Sequence, residues 1–507
     1  MIARAESVAL VGMDGHRIDV EVSLAPGLPV FTIVGLPDPS IQEARERVRA
    51  AVQSSGEDWP LKRVTVNLSP AHLRKAGSGF DLAMALGLLA AAGRIAHERL
   101  REVCVLGELS LDGSVRRIRG VLPASIVASR AGARAVMVPV ANAREAALVR
   151  GLDVFAVEHL QQAVRFLRGE CELDGVPPAP PGSGSALDEP DLTDVRGNST
   201  AKRVIEITAA GGHNVLMIGA PGGGKTMLAR RLAGILPPMT EREAFEVTRI
   251  HSIAGLLSDD GGLVDRRPFR APHHSGSTTG LVGGGSGMPH PGEASLAHRG
   301  VLFLDEFGEF RREVLQALRQ PMEDGGITIV RSRWAVTYPA RFQLVAASNP
   351  CACGHFGDSL RPCVCAPGRV MAYQERLTGP IVDRIDLQVE IPRLARGQLF
   401  AAPEGDSSAT VAQRVAGARE VQRARFGESG AASNAEVRAA DIERLCLPTA
   451  AARAVLERAI EGLALSARGA HRVMRVARTI ADLGGEEQTG SDCVEEALGY
   501  RVLDARE

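Results

Sequence analysis

The sequence lacks the segments that would direct it into or across a membrane. Its first residues, Met1-Ile-Ala-Arg-Ala-Glu, contain no apolar stretch of the kind found in signal peptides. The longest apolar run, residues 82–92, is too short to span a bilayer. Eight cysteines in 507 residues are also too few for a disulfide scaffold. We therefore expect a cytoplasmic protein without membrane association.

The sequence also has no excess of charge of either sign, because its formal net charge is −1 at pH 7. Any nucleic-acid-binding surface must therefore be local, such as a groove or a pore. The content of 45% hydrophobic and 23% charged residues is typical of globular proteins, and 507 residues are too many for one core. The length predicts two to four domains.

One stretch has the strand, loop and helix pattern of a phosphate-binding site. Residues 214–218 predict a buried strand, residues 227–235 predict a helix, and the loop between them fits G-x-x-x-x-G-K-[ST]. Glycines let backbone N–H groups surround phosphate oxygens, the lysine reaches the β- and γ-phosphates, and the threonine hydroxyl can bind Mg²⁺. The candidate nucleotide-binding residues are Gly219, Ala220, Pro221, Gly222, Gly223, Gly224, Lys225 and Thr226.

Two later strands end in polar residues that suit ATP hydrolysis. The apolar segment 301–304 is followed by Asp305, a candidate ligand of hydrated Mg²⁺, and by Glu306, a candidate for orienting or deprotonating the attacking water. The segment 342–348 ends at Asn349, whose amide can bond that water or the γ-phosphate. A strand capped by ordinary surface acids is the alternative, but the phosphate loop favours a site that uses ATP and Mg²⁺.

The chain divides into four segments. Residues 1–170 alternate apolar runs with helical stretches and predict a mixed α/β domain, whereas residues 171–193 are rich in proline, glycine and serine and predict a linker. Residues 194–396 hold the phosphate loop, and residues 397–507 are mainly helical. The strands predicted in the first segment are 7–11, 30–34, 64–67, 103–106 and 135–138, and its helices are 39–54, 80–93 and 121–131. A further helix is predicted at 311–322, and the helices of the last segment at 411–426, 435–445, 450–461, 470–483 and 492–498.

Four of the eight cysteines lie within fifteen residues, in two C-x-C pairs. They are Cys351, Cys353, Cys363 and Cys365. Four thiols in paired spacing are candidates for a tetrahedral Zn²⁺ site, although C-x-C is tighter than the usual spacing. The alternative is a loop with four reduced thiols.

Residues 327–338 read as a β-hairpin with a basic and aromatic tip. The tip carries Arg331, Arg333 and Trp334, one of two tryptophans in the chain. Arginine suits phosphate contact and tryptophan suits base stacking, so we predict a DNA-contacting loop. A hairpin that only packs, with its arginines in solvent, is the alternative.

Two other polar regions are less specific. A Gly- and His-rich stretch, residues 270–292, contains His273 and His274 with no acidic or thiol partner nearby in sequence, and we interpret them as loop histidines. Basic residues cluster at 45–49, 62–63 and 74–75. These clusters fit either a nucleic-acid surface or an ordinary solvated face.

The first segment resembles the proteolytic domain of Lon proteases, at residues 107–123 and 132–139. That family uses a serine and lysine pair, and by motif position Asp81 stands at the serine and Leu122 at the lysine. A carboxylate facing a leucine cannot supply an activated hydroxyl nucleophile. The resemblance therefore implies a Lon protease-like (S5 domain 2-like) fold without proteolytic activity, left for assembly or DNA binding.

Nearly the whole chain, including the Lon-like first segment, resembles the Mg chelatase-like AAA+ family. The resemblance rests on residues 272–274, 291–298, 349–354, 379–386 and 477–483, in addition to the phosphate loop and the Asp305-Glu306 pair. It implies an α/β P-loop AAA+ core with a helix-2 insertion at 252–297, a pre-sensor-1 hairpin at 327–342 and a C-terminal helical lid. It also implies that Asn349 is sensor 1, Arg384 the arginine finger and Arg468 sensor 2, with Arg472 and Arg475 as competitors for the last role. From the residues alone, Arg384 could equally form a local ion pair.

The function that this resemblance implies is a homo-hexameric, ATP-driven helicase. It would promote branch migration on single-stranded and branched DNA during homologous recombination in natural transformation. A magnesium chelatase motor subunit or a protein-remodelling ATPase is the alternative. An ATP-dependent protease is disfavoured by Asp81 and Leu122.

Overall fold

A computed structural model describes residues 2–177, 190–258, 262–285, 287–331, 334–358, 360–393, 405–427, 430–463 and 465–503. The predicted linker falls mostly in 178–189, and the predicted boundary between core and lid falls in 394–404, so both lie outside the described residues. Within the described residues, no helix combines the length and the apolar character needed to cross a bilayer.

The N-terminal unit is built on a seven-stranded mixed sheet. The unit contains nine strands in all, which are β1 (Ile2–Val11), β2 (Asp14–Ala25), β3 (Val30–Val34), β4 (Arg63–Ser69), β5 (Val103–Val105), β6 (Glu108–Leu109), β7 (Val115–Arg116), β8 (Ala135–Pro139) and β9 (Asp153–Val157). The large sheet has the order β3-β4-β2-β1-β5-β8-β9, and β6 and β7 form a separate hairpin. The helices are α1 (Pro39–Ser54), α2 (Asp81–Ala91), α3 (His97–Arg101), α4 (Val121–Arg130), α5 (Ala143–Ala146) and α6 (Leu160–Arg168).

Local sequence explains the two helices that matter most to this unit. Helix α1 begins after Asp38, whose carboxylate accepts from the N–H of Ile41, and it has proline at its first position. Helix α2 is buried along its whole length and packs against β1 and β2. The longest apolar run of the chain is therefore a central core helix.

Two strands of this sheet were not predicted. In β2, Ile18, Val20, Val22 and Leu24 are buried and alternate with polar residues, which is the period of a half-buried strand. Strand β9 is short and forms the edge beside β8. The alternation in β2 was the signal that could have revealed it, whereas β9 carries no comparable pattern.

The core contains a five-stranded parallel sheet in the order β11-β14-β17-β10-β18. Its elements in chain order are α7 (Ser199–Gly211), β10 (Val215–Gly219), α8 (Lys225–Ile235), α9 (Glu241–Ala254), β11 (Phe269–Arg270), α10 (Thr278–Val282), β12 (Gly283–Gly284), β13 (His290–Pro291), α11 (Glu293–Leu296), β14 (Val301–Leu304), α12 (Arg312–Ala317), α13 (Arg319–Asp324), β15 (Gly326–Arg331), β16 (Trp334–Pro339), β17 (Gln343–Ser348), α14 (Pro367–Gln374) and β18 (Leu387–Ile391). The phosphate loop joins β10 to α8, so it lies at the carboxyl end of an inner strand.

The single helix predicted for residues 311–322 is divided into α12 and α13. Pro321 lies in the first turn of α13, and its ring nitrogen cannot donate to the carbonyl of Ala317. The prediction of one helix is therefore wrong, although the region is helical as expected.

Two small hairpins form separate two-stranded sheets beside the main sheet and contact each other. The pair β12 and β13 closes the insertion after β11, and β15 pairs with β16 in antiparallel register. The Tyr338 hydroxyl donates to the carbonyl of Pro289 at 2.6 Å, and a Cβ added to Gly283 would lie 2.9 Å from Ile329. The insertion and the hairpin predicted near 327–338 therefore form one packed unit.

The N-terminal unit packs directly on this core. The turn between β1 and β2 places Gly12 so close to Val336 that a Cβ on Gly12 would lie 2.1 Å from the valine methyl. The N–H of Gly120 donates to the carbonyl of Ser252 at 3.0 Å, and Arg117 donates to the carbonyl of Leu257 at 2.5 Å. The contact therefore involves β16, α9 and the start of α4.

The C-terminal lid is helical, with α15 (Ser408–Phe426), α16 (Ile442–Cys446), α17 (Ala450–Gly462), α18 (Ala467–Gly484) and α19 (Ser491–Gly499). The prediction of a continuous helix over 435–445 is wrong. Val437 is buried with an extended backbone between two short 3₁₀ turns, and only α16 follows it. Burial of that valine outweighs the helical pattern of its neighbours.

Candidate functional site

The phosphate loop needs its glycines for two different reasons. Gly222 and Gly224 have positive φ angles, +81° and +86°, which strain residues with a side chain. Gly219 has an ordinary φ, but a Cβ there would lie 2.3 Å from the carbonyl oxygen of Ile391. The loop therefore packs tightly against β18 at Gly219, and it turns through left-handed backbone at Gly222 and Gly224.

The ammonium group of Lys225 lies inside the loop. It donates to the carbonyls of Gly219 at 2.7 Å and Ala220 at 3.1 Å, and it lies 3.4 Å from Oδ1 of Asn349. Burial lowers the pKa of Lys225, and the nearby charge of Asp305 partly opposes this. A desolvated cation held only by neutral oxygens is suited to exchange them for phosphate oxygens.

The carboxylate of Asp305 faces the first turn of α8. The Thr226 hydroxyl donates to Oδ2 of Asp305 at 2.9 Å, and the N–H of Glu306 donates to Oδ1 at 2.9 Å. A hydroxyl and a carboxylate at this separation are oxygen ligands of the kind that hydrated Mg²⁺ prefers. The structure thus brings together the two residues that the sequence predicted as Mg²⁺ ligands.

Glu306 has a backbone conformation that is uncommon for a residue with a side chain. Its φ is +53° and its ψ is 44°, between the end of β14 and a short 3₁₀ turn. Left-handed backbone at a non-glycine residue costs free energy and is concentrated at functional sites. The predicted catalytic carboxylate therefore sits in a strained turn directly after Asp305, the predicted Mg²⁺ ligand.

A partner of Glu306 was missed by the sequence analysis. Nδ1 of His274 lies 2.7 Å from Oε2 of Glu306, and the His274 ring also meets the edge of Phe310. The interpretation of His274 as a loop histidine without an acidic partner is therefore wrong, because its partner lies 32 residues further along the chain. His273 stacks on His274 with ring centroids 4.1 Å apart but bonds to Ser275.

The four clustered cysteines lie directly after Asn349. Their Sγ atoms all fall within 4.8 Å of one another, and three of the separations are 3.4, 3.5 and 3.7 Å. A tetrahedron of thiolates around Zn²⁺, with Zn–S near 2.3 Å, has edges of about 3.8 Å. None of the eight cysteines is in a disulfide, so this geometry fits a metal-binding group.

Arg384 and Arg468 lie apart from the phosphate loop of their own chain. Arg384 precedes β18, at the amino end of a strand whose carboxyl end faces the loop, and it pairs with Glu323. The charge of the exposed Arg468 also lowers the pKa of Glu323, after the larger effect of the Arg384 hydrogen bond. The strand β18 spans five residues, or roughly 16 Å, so Arg384 is not placed to reach a nucleotide on the same loop.

The competitors for the sensor-2 role are less exposed. Arg472 is buried and lies 3.8 Å from Asp386, which makes it part of an internal ion pair. Arg475 is half-buried, with an Nε atom that has no hydrogen-bond partner among the described residues. Burial therefore leaves Arg468 as the best placed of the three to meet a second molecule.

The hairpin of β15 and β16 forms as predicted, with Arg331 opposite Trp334 in the register. Arg331 is exposed. Arg333 and the side chain of Trp334 lie outside the described residues. Of the three predicted DNA contacts, the structure thus describes the surroundings of one.

In the N-terminal unit, the residues at the serine and lysine positions of the Lon-like motif are both buried. Asp81 is buried, and its carboxylate accepts from Arg47 at 2.7 and 3.1 Å and from the N–H of Leu109. Burial raises the pKa of Asp81 to about 6 despite this pairing. Leu122 is fully buried in α4. No hydroxyl nucleophile occupies either position.

Two of the basic residues considered for a nucleic-acid surface are engaged within the N-terminal unit, Lys75 fully buried and Arg47 partly buried. Lys75 is fully buried and donates to the carbonyls of Gly35, Leu68 and Pro70. Arg47 is held by Asp81. The clusters at 45–49 and 74–75 are therefore only partly available at the surface.

Three family models match successive parts of the chain. Residues 20–142 match "Subunit ChlI of Mg-chelatase", residues 191–399 match "Magnesium chelatase, subunit ChlI", and residues 405–501 match "Magnesium chelatase, subunit ChlI C-terminal". The three ranges correspond to the N-terminal unit, the core and the lid.

Relatives extend the similarity over the full length. The chain is 48% identical to an uncharacterised protein of Mycobacterium tuberculosis, over 100% of this chain and 99% of the relative. It is 43% identical to Competence protein ComM of Haemophilus influenzae, over 99% of this chain and 98% of that protein. It is also 30% identical to a Lon protease of Roseiflexus castenholzii, over 34% of this chain and 23% of that protein.

Proposed function

Because the chain belongs to the Mg chelatase-like AAA+ ATPase family related to ComM, we propose that it is an ATP-driven DNA motor. It would act as a homo-hexameric helicase that promotes branch migration when incoming DNA recombines during natural transformation. The observation that carries the proposal is the packed unit of the insertion and the β15–β16 hairpin, which holds the exposed Arg331. An exposed arginine at the end of a hairpin strand fits contact with a phosphate backbone.

The ATP site supports this motor. Lys225 would hold the β- and γ-phosphates of ATP, and Thr226 and Asp305 would hold the Mg²⁺ ion, which supplies charge neutralisation when bound. Glu306 would orient or deprotonate the attacking water, and Asn349 would bond that water or the γ-phosphate. The positive-φ glycines leave room for oxygen atoms where a Cβ would otherwise stand.

The position of two arginines supports the ring. Arg384 and Arg468 lie beside Glu323 at the amino edge of the sheet, away from the phosphate loop of their own chain. We propose that they serve the nucleotide of a neighbouring subunit, Arg384 as arginine finger and Arg468 as sensor 2. The present pairing of Arg384 with Glu323 would then be exchanged for phosphate oxygens on assembly.

The thiol cluster supports a structural metal. We propose that Cys351, Cys353, Cys363 and Cys365 hold one Zn²⁺ ion that ties the loop after Asn349. Purified protein should then contain about one zinc per chain by plasma mass spectrometry, and the Cys351→Ser/Cys363→Ser variant should lose it. The Cys171→Ser variant is the control, because Cys171 lies outside the cluster. Metal-free wild-type protein would contradict the zinc assignment.

The test of the motor is ATP hydrolysis with and without single-stranded and branched DNA. We expect DNA to raise turnover, and the Arg331→Ala variant to lose most of that increase while keeping DNA-free turnover. The Arg458→Ala variant is the control, because Arg458 is exposed on the lid helix α17. Hydrolysis indifferent to DNA would reject the DNA motor and favour a chelatase-type or protein-remodelling ATPase.

A further inference from the structure

The loop that carries the thiol cluster packs directly on the phosphate loop. It begins after Asn349 at the carboxyl end of β17, and a Cβ added to Gly354 would lie 2.8 Å from the ring of Pro221 in the phosphate loop. Further along, Asp358 forms an ion pair of 3.2 Å with Arg393, which lies two residues after β18. The thiol-cluster loop therefore crosses the carboxyl ends of β17, β10 and β18 in that order.

A cavity of about 610 Å³ adjoins the phosphate loop on the side of β18. Its walls are formed largely by residues 198–201, 218–220, 356–358 and 390–393. The two carboxylates assigned to Mg²⁺ and to the attacking water follow β14, which lies on the other side of β10 from β18. Because the γ-phosphate must face those carboxylates, the nucleoside of ATP extends in the opposite direction, toward this cavity.

Phe356 places an aromatic ring in the wall of this cavity. It is 46% exposed, and it is the only exposed phenylalanine in the part of the chain that the structure describes. A base stacked on the ring would bury its exposed face, and every nucleobase has a face that can make this contact. Ser199 and Thr200, both exposed at the start of α7, line the same cavity and offer hydroxyls to the ribose.

The position of Phe356 is fixed on both sides along the chain. Its backbone N–H donates to Sγ of Cys351, a member of the thiol cluster, at 3.3 Å. Two residues later, the side chain of Asp358 has no exposed surface, and its carboxylate lies 3.1 Å from Nδ1 of His355 and 3.2 Å from Nη1 of Arg393. A buried carboxylate with two such partners is costly to displace. The thiol cluster and this carboxylate therefore hold the intervening segment against the cavity.

We propose that the thiol-cluster loop forms the base-side wall of the nucleotide site, with Phe356 as the residue on which the base stacks. The inference rests on the proposed function, because it takes the phosphate loop as an ATP site, but it does not depend on DNA. Phe356 contacts the base and not the reacting phosphate, so it acts on nucleotide affinity. The thiol cluster, with its proposed Zn²⁺, holds the ring in place through Cys351.

The test is calorimetric titration of the full-length chain with ADP and with inorganic pyrophosphate, both in the presence of Mg²⁺. We expect Phe356→Ala to weaken ADP binding about tenfold and to leave pyrophosphate binding unchanged, because only ADP carries a base. Phe356→Trp should bind ADP at least as tightly as the wild type. Val364→Ala is the matched control, because Val364 is an 83% exposed apolar residue of the same loop that does not line the cavity.

A second measurement tests the link between the cluster and the ring. Removal of the metal with a zinc-selective chelator should weaken ADP binding about three- to tenfold in the wild type and less than about twofold in Phe356→Ala, since that variant has no ring to misplace. Equal losses in the two proteins would overturn the holding role of the cluster. If the protein contains no zinc, the metal assignment fails, and the ADP and pyrophosphate titrations still decide the role of Phe356.

The inference and the proposed function fail in distinguishable ways. If ATP hydrolysis ignores DNA, the DNA motor is rejected, whereas the titrations are unaffected. If the wild type binds neither ADP nor pyrophosphate, the ATP site and its base-side wall are rejected together. The stacking role alone is overturned if Phe356→Ala binds ADP as the wild type does, or if it loses affinity for ADP and pyrophosphate equally. An ADP affinity in Val364→Ala as low as in Phe356→Ala also overturns it.

Discussion

The N-terminal unit has a carboxylate, Asp81, in the first turn of a helix, and the core has two, Asp305 and Glu306, next to the first turn of α8. The two sites differ in how exposed the carboxylates are. Asp81 is buried, and Arg47 and a backbone N–H fully occupy its oxygens. Asp305 accepts a hydrogen bond from Thr226, Glu306 lies in contact with His274, and neither carboxylate is buried. In the core, a ligand can replace the present partner of each carboxylate. In the N-terminal unit, loss of Arg47 would leave the Asp81 carboxylate buried without a charged partner. Accessible, replaceable bonds therefore distinguish the working site from the closed one.

The largest expected effect is on the core site. Lys225→Ala should reduce both ATP affinity and turnover about 100-fold or more, because no other cation lies in the loop among the described residues. Glu306→Gln should reduce kcat about 100-fold or more and leave ATP affinity within about twofold. Fluorescent-nucleotide titration and steady-state hydrolysis separate the two. Equal loss of affinity in both variants would contradict the separate roles.

A smaller effect concerns a buried polar group within the core. His298 is 2% exposed; its Nδ1 accepts from the N–H of Arg341, and burial lowers its pKa to about 4. Between about pH 6.5 and pH 4 the unfolded chain binds a proton that the native chain does not, so the free energy of unfolding should fall as pH falls. The maximum loss is about 3 kcal/mol.

Urea unfolding at pH 6.5 and pH 4.5 measures this loss. His298→Asn, whose amide oxygen can accept from Arg341, should flatten the pH dependence. His16→Asn, at an exposed histidine, should leave it unchanged. A slope that survives in His298→Asn would assign the pH dependence to other groups.

The smallest expected effect is on the closed site. Asp81→Ala should lower the free energy of unfolding by about 1–3 kcal/mol, because it leaves the partly buried Arg47 without its main partner, and it should leave ATP hydrolysis unchanged. Asp58→Ala removes an exposed pair with Arg94 and should have an effect below about 1 kcal/mol. Differential scanning of the purified variants measures the shifts. Loss of ATP hydrolysis in Asp81→Ala would show that the two regions are energetically coupled.

The sequence predicted the parts of the site that depend on neighbouring residues. The phosphate loop, Asp305 and Asn349 each follow a strand, and parallel strands bring their carboxyl ends together. The Glu306 partner could not be predicted in the same way, because His274 lies 32 residues earlier in the chain, with five helices and strands between them. The burial of Lys75 was equally hidden, because three backbone carbonyls hold it and their sequence carries no sign of this.

The same distinction applies to the fold. Strands with continuous apolar runs, such as β10 and β14, were predicted from composition, and their all-parallel sheet follows from the helices between them. The extended backbone at Val437 was not predicted, since it depends on packing in the lid rather than on local propensity. Tertiary contacts decided the structure wherever the local pattern was weak.

Because Gly12 lies directly against Val336, the position of the N-terminal unit depends on the position of the β15–β16 hairpin. A side chain larger than hydrogen at residue 12 would act as a wedge between the two units. The absence of one lets the turn follow β16 without a gap. A displacement of the hairpin should therefore move the N-terminal unit. Two spectroscopic labels, one on the β1–β2 turn and one on the lid, would record this movement as a change in the distance between the two domains.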